Sequence, residues 1–190
     1  NYLMGEEPLA FDLLYWNSDS TRMPARMHSE YLRAMYLENR FKEPGGMILG
    51  DVPIDIASVK TPCYFLSACE DHIAPWRSTF AGAGLFKGPV RFVLSGSGHI
   101  AGVVNPPEAK KYGYRTSRSR PRGDAEAWLQ SAPIKEGSWW PNWQQWVSKF
   151  NGTKVKARKP GAKKAFPVLE DAPGSYAGKR LDEENLKQTA

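Results

Sequence analysis

Two short stretches hold most of the chemistry this chain can offer. In ACEDHIAPW, Ala68–Trp76, the residues Glu70, Asp71 and His72 stand together, and in SGSGHIAG a second histidine, His99, follows Asp71 by 28 residues. A carboxylate and an imidazole together suit nucleophilic catalysis, because the acid fixes the imidazole tautomer and stabilises the imidazolium that forms. Metal ligation is the weaker reading. Zinc and iron sites usually take two or more spaced residues from one element, a pattern that Glu70, Asp71, His72 and His99 do not show, and no metal is expected. The structural alternative is that Asp71 caps the helix after Ile73 and His99 is an ordinary loop residue; for Asp71, capping and catalysis are compatible. His72 points away from His99 if its neighbour Asp71 points toward it, so it reads as a structural or supporting residue. The nucleophile is the gap. No G-x-S-x-G or G-x-C-x-G elbow occurs in the chain. Cys63 falls inside an expected strand, and Cys69 precedes the acid without flanking glycines, so neither is expected to be the reactive thiol.

The elements around these residues explain how they would meet. PCYFLSA reads as a strand, APWRSTFAGAGLF as a helix with proline in its first turn, and PVRFVLSG as a strand. Strand, helix and strand form a βαβ unit, which implies an α/β protein with a parallel sheet and a right-handed crossover. Asp71 lies just past the first strand end and His99 just past the second. Neighbouring strands are about 4.8 Å apart, so the two side chains can share a hydrogen bond. Acid then histidine, each after a late strand, is the chain order of α/β-hydrolases, in which the nucleophile comes first. Gly96, Gly98 and Gly102 let the histidine loop turn sharply.

Residues 1–24 read as irregular. Residues 25–41 show helical spacing of Met27, Tyr31, Met35 and Leu37, and EPGG ends that helix. MILGDVPIDIASV supplies two short extended runs around a Gly-Asp turn. After His99 a long loop, NPPEAKKYGYRTSRSRPRG, carries six basic residues from Lys110 to Arg122. DAEAWLQSA and SWWPNWQQWVSKF read as helices, the second broken near Pro141. Three regions result: 1–46, 47–150, and an extended or mobile basic tail over 151–190.

The chain has 190 residues with 41% apolar content, enough for one domain with a real core. Its net charge of +6 is uneven: residues 151–190 hold nine Lys/Arg against five Asp/Glu, and the first 150 hold seventeen against fifteen. Neither a helix-turn-helix nor aromatic-studded RNA-binding strands accompany this charge, so no nucleic acid partner is expected; the basic loop suits solvent, cofactor phosphates or an anionic surface. No apolar run is long enough for a transmembrane helix. The start is not a signal peptide and reads like the interior of a longer protein. Two cysteines six residues apart make neither a disulfide framework nor a zinc site, which fits a reducing cytoplasm.

Four motifs in order, FDLLYWNSDSTRMP, EDHIAPW, SGHIAGVVNPP and GSWWPNWQQW, together with APGSY near the end, resemble the C-terminal part of class I poly(3-hydroxyalkanoate) synthases. The resemblance runs from Asn1 to about Arg180. It implies the C-terminal part of an α/β-hydrolase core preceded by the end of a cap region. It also implies an acyltransferase that polymerises (R)-3-hydroxyacyl-CoA and releases CoA, without a cofactor, at cytoplasmic polyester granules and as a homodimer when full length. On this resemblance His99 is the base that generates a cysteine thiolate, and Asp71 orients it and helps activate the attacking 3-hydroxyl group. Phe11, Leu13 and Trp16 would line the substrate or product path, although core packing is the plainer role for each. Three departures stand out. The nucleophile box is missing, so this chain alone is expected to be inactive; Cys69 replaces the family's arginine before the glutamate; and LDEENLKQTA has no counterpart. The competing readings are a serine esterase or polyester depolymerase of the same fold, and a truncated, non-catalytic granule-associated or dimerising module.

Overall fold

Alternation along two central strands decides where the core lies. In the computed structural model, which describes residues 4–5, 20–159, 161 and 164–178, strand β3 spans Cys63–Ala68 and β4 spans Val90–Ser95. They follow a hairpin of β1 (Met47–Leu49) and β2 (Val52–Ile54). Between β3 and β4 runs a helix, Trp76–Leu85, here α2; α1 is Ala25–Tyr31. Val90, Phe92 and Leu94 alternate along β4 and face the same side as Phe65. Trp76, Phe80 and Ala83 of α2 pack there, joined by Trp128 and Ala132 at helix α3, Ala125–Ser131. Phe92 sits edge-on to both Phe80 and Trp128, with centroids 5.2 and 5.1 Å away. Such T-shaped contacts suit the ring quadrupoles and add to the area buried.

β3 and β4 are parallel, as expected of a βαβ unit. The sheet as a whole is mixed rather than parallel: β5 (Gly113–Thr116) and β6 (Ile134–Glu136) add antiparallel strands in the order β3-β4-β5-β6. The physical reason lies in residues 96–112, which contain only one short turn of helix, Pro107–Ala109. Without a crossover helix the chain returns beside β4 in the opposite direction. The stretch read from sequence as one long basic loop therefore contains a strand. Two of its basic residues are structural: Arg115 donates to the carbonyls of Leu129 and Ala132 at the end of α3, and Arg120 donates to those of Phe86 and Gly88 beyond α2.

Other local expectations meet the structure in different ways. The Gly-Asp turn joins β1 to β2 with positive φ at both Gly50 and Asp51, the type I′ geometry that matches strand twist. The helix expected over 25–41 is α1 followed by a wider π-helical segment, Leu32–Leu37, and a separate 3-10 turn at Arg40–Lys42. Asn39 stops it by adopting a left-handed conformation, which asparagine tolerates better than most residues. Of this segment Ala34 is buried, while Met27, Tyr31 and Leu37 stay exposed. The aromatic helix is not broken at Pro141. It starts at Trp140 as α4 (Trp140–Val147), so the proline lies in the first turn, where its missing N–H removes no intrahelical bond.

Chain contacts divide the molecule into units 1–146 and 147–190. The second has little regular structure among its described residues beyond a 3-10 turn at Ser175–Gly178, with Ser175 Oγ donating to Glu170 Oε1 at 3.0 Å. No helix among the described residues is long and apolar enough to cross a membrane.

Candidate active site

The ladder between β3 and β4 does not stop at the strand ends. The Cys69 N–H donates to the Ser95 carbonyl at 2.8 Å, and the Glu70 N–H donates to that of Ser97 at 3.0 Å. These bonds carry the exits of two parallel strands along together for a further turn. Ser97 takes a positive φ of 69° to allow it. The next side chains outward are Asp71 and His99, and His99 Nδ1 lies 2.8 Å from Asp71 Oδ2. One face of the carboxylate therefore serves the histidine. Its other oxygen, Oδ1, accepts the N–H groups of Ile73 and Ala74, each at 2.9 Å. Asp71 thus caps the turn leading into α2 and also orients an imidazole.

The electrostatics follow from those partners. The Ala74 N–H and then His99 hold the Asp71 carboxyl below the usual carboxylate range, with the Ile73 N–H adding to the effect. An ionised Asp71 can only accept, so Nδ1 of His99 is the donor in the shared bond and Nε2 is the nitrogen left outside it. The Asp71 side chain is 8% exposed and that of His99 is 45% exposed. A sheltered acid behind an accessible imidazole is what a general base needs.

The loop that carries His99 is built on close contacts. A Cβ on Gly102 would lie 2.6 Å from the Ala68 Cβ and 2.7 Å from the Gly96 carbonyl oxygen, so only glycine fits there. Asn105 is 2% exposed, and its side-chain amide donates to the Lys111 carbonyl at 2.9 Å, which closes the NPP segment on itself. Trp139 and Trp140 point both indole N–H groups at the Val103 carbonyl, at 3.2 and 3.0 Å. Sequence reasoning gave Asn105, Trp139 and Trp140 no physical role. The signal available was the adjacent tryptophan pair, since each indole brings an N–H that needs an acceptor when its ring is packed. With Pro107 and Trp143 the same indoles line an open apolar groove of about 600 Å³.

The remaining candidates lie apart from the Asp71–His99 contact. His72 is exposed in the bend after Asp71, and Glu70 is exposed at the strand exit. Cys63 Sγ donates to the Thr61 carbonyl. Cys69 is an exposed free thiol beside a smaller cavity of about 220 Å³ shared with Leu94, Ser95 and Tyr114. No cluster of three or more His, Cys, Asp or Glu converges among the described residues. Phe11, Leu13 and Trp16 lie outside the described residues.

No family model matches the chain. It is 55% identical over 176 residues to the poly(3-hydroxyalkanoate) polymerase subunit PhaC of Rhizobium meliloti (strain 1021), covering 93% of this chain and 28% of that protein. It is 51% identical over 177 residues to the poly(3-hydroxyalkanoate) polymerase of Methylorubrum extorquens, covering 93% of this chain and 29% of that protein. The PhaC subunit of Cupriavidus necator is 42% identical over 176 residues, covering 93% of this chain and 30% of its own. The chain spans less than a third of the length of these curated relatives. With the Asp71–His99 geometry beside these identities, the chain is homologous along nearly all of its length to poly(3-hydroxyalkanoate) polymerases, matching a C-terminal segment of them.

Proposed function

We propose that this chain is the C-terminal catalytic portion of a polyhydroxyalkanoate synthase, an acyltransferase that joins (R)-3-hydroxyacyl-CoA units into polyester and releases CoA. The observation that carries this reading is the 2.8 Å Asp71–His99 hydrogen bond at the ends of two adjacent parallel strands. That is the acid–base half of a triad in an α/β-hydrolase core. A cysteine in a segment outside these 190 residues supplies the nucleophile. Its thiol gives a proton to His99 Nε2, and the thiolate attacks the carbonyl of the acyl-CoA thioester. The C–S bond to CoA breaks, and the departing CoA thiolate takes the proton from His99, leaving an acyl thioester on the enzyme. For elongation His99 removes the proton from the 3-hydroxyl of one acyl unit as that oxygen attacks the thioester of another. An ester forms, and the released thiolate recovers the proton. Asp71 keeps Nδ1 protonated and stabilises the imidazolium throughout. The product places the enzyme at polyester granules in the cytoplasm, and dimerisation of the complete protein belongs to the same reading.

The test is thiol release from 3-hydroxybutyryl-CoA by the complete polypeptide that carries this segment. His99→Ala is expected to lower turnover by roughly 10²–10⁴-fold, the usual worth of a positioned general base, with folding intact. Unchanged turnover would remove His99 from the chemistry.

A further inference from the structure

The loop that carries His99 is not held in place by burying its own apolar side chains. Ile100 is 61% exposed and Val104 is 62% exposed. Several of its hydrogen bonds stay inside the loop: Gly102 N–H to the Gly98 carbonyl, Val104 N–H to the Ile100 carbonyl, and the Asn105 amide to the Lys111 carbonyl. Upstream of the histidine it is tied to the rest of the fold by Glu70 N–H to the Ser97 carbonyl and Gly96 N–H to the Gly113 carbonyl. Downstream, the corresponding tie is made by the two indole N–H groups that close on the Val103 carbonyl, four residues past His99.

Trp139, and the helix α4 that begins at Trp140, are themselves anchored to the strand that presents Asp71. The ring of Tyr64, on β3, lies 6.3 Å from that of Trp139 and 5.3 Å from that of Trp146. The Tyr64 hydroxyl donates to Oδ1 of buried Asn142, on α4, at 3.0 Å. A closed circuit results. It runs from β3 through Asp71 to His99, along the loop to Val103, across to Trp139, and back to β3 at Tyr64.

We infer that Trp139 and Trp140 are positioning residues for His99: through the Val103 carbonyl they hold the histidine loop against the strand that carries its acid. The inference rests on the reading of His99 as the base and adds residues that act on it from a distance. The doubled donor has a consequence of its own. A carbonyl oxygen has two lone pairs, and that of Val103 also accepts the Asn105 N–H at 3.1 Å. Either indole alone leaves the loop tied, and loss of both releases it. The two positions are therefore non-additive.

The experiment compares Trp139→Phe, Trp140→Phe and the double variant in the complete polypeptide, following CoA release from 3-hydroxybutyryl-CoA. Each single change is expected to lower kcat less than about 3-fold. The double change is expected to lower it about 10-fold or more with KM within about 2-fold, because small misplacement of a catalytic group costs rate more than binding. Thr116→Val removes a buried hydrogen bond to the Phe92 carbonyl, well away from the loop, and serves as a destabilised control that should keep its kcat. If the phenylalanine pair fails to fold, benzothienylalanine at both positions keeps the indole shape without the N–H and asks the same question. A double variant with unaltered kcat overturns the inference, and so does a control that loses kcat in parallel. Should His99→Ala retain full turnover, the general-base reading falls first. Should His99→Ala be inactive while the double variant works normally, only the positioning role falls.

Discussion

The middle of β4 and its exit are built on opposite terms. Its middle, at Phe92 and Leu94, lies in a dry aromatic cluster in which Phe80, Phe92 and Trp128 are each at most 5% exposed. Its exit leads within four residues to His99, whose side chain is 45% exposed and is held by hydrogen bonds. The first region is specified by volume and tolerates no gap. The second is specified by direction, and water reaches it. This contrast separates what keeps the protein folded from what the proposed chemistry uses. A substitution in one region should leave the signature of the other untouched.

The largest stability effect is expected in the core. Phe92→Ala removes a ring packed edge-on against two others, and such truncations cost about 3–5 kcal/mol. Chemical denaturation of the complete protein should show a lower midpoint, while the variant that remains folded keeps its KM in the proposed acyl-CoA reaction. A raised KM in the folded fraction would mean that the core and the site are not separable.

The same contrast explains what could be read in advance. β3, α2 and β4 were legible because their apolar residues alternate and a proline marks the helix start. The meeting of Asp71 with His99 followed from two strand ends. β5 was hidden because only Tyr114 and Thr116 of its four residues are buried, and arginines and lysines flank it. β6 has three exposed residues and so no burial pattern to read. Pro141 looked like a break because sequence alone does not say that the helix begins one residue earlier. The indole bonds to Val103 span 36 and 37 residues, and contacts of that range leave no local periodicity.

A middle case lies in the basic loop. Arg120 donates to the Phe86 and Gly88 carbonyls past the end of α2, so its charge is used inside the fold, whereas Arg118 is exposed. Arg120→Ala leaves two carbonyls without that donor and should cost about 1.5–3 kcal/mol, the range for hydrogen bonds to a charged group. Arg118→Ala should stay within about 0.5 kcal/mol. Denaturation of the two variants side by side checks this. Equal effects would show that the loop's arginines act only through net charge.

The effect on stability that best separates site from core belongs to Asp71. Its carboxyl is held below the usual range by the Ala74 N–H and then by His99. A group whose pKa is depressed by folding adds stability that is fully present above its unfolded value and is lost as pH falls through the lower folded value. The stability difference between wild type and Asp71→Asn should therefore be constant near neutral pH and shrink only in acid, below the ordinary carboxylate range. Phe92→Ala should show no such narrowing, because no proton is linked to its contacts. Thermal unfolding of both variants across that acid window is the measurement. A difference for Asp71→Asn that persisted unchanged into acid would mean that the contribution of Asp71 to stability does not depend on its ionisation.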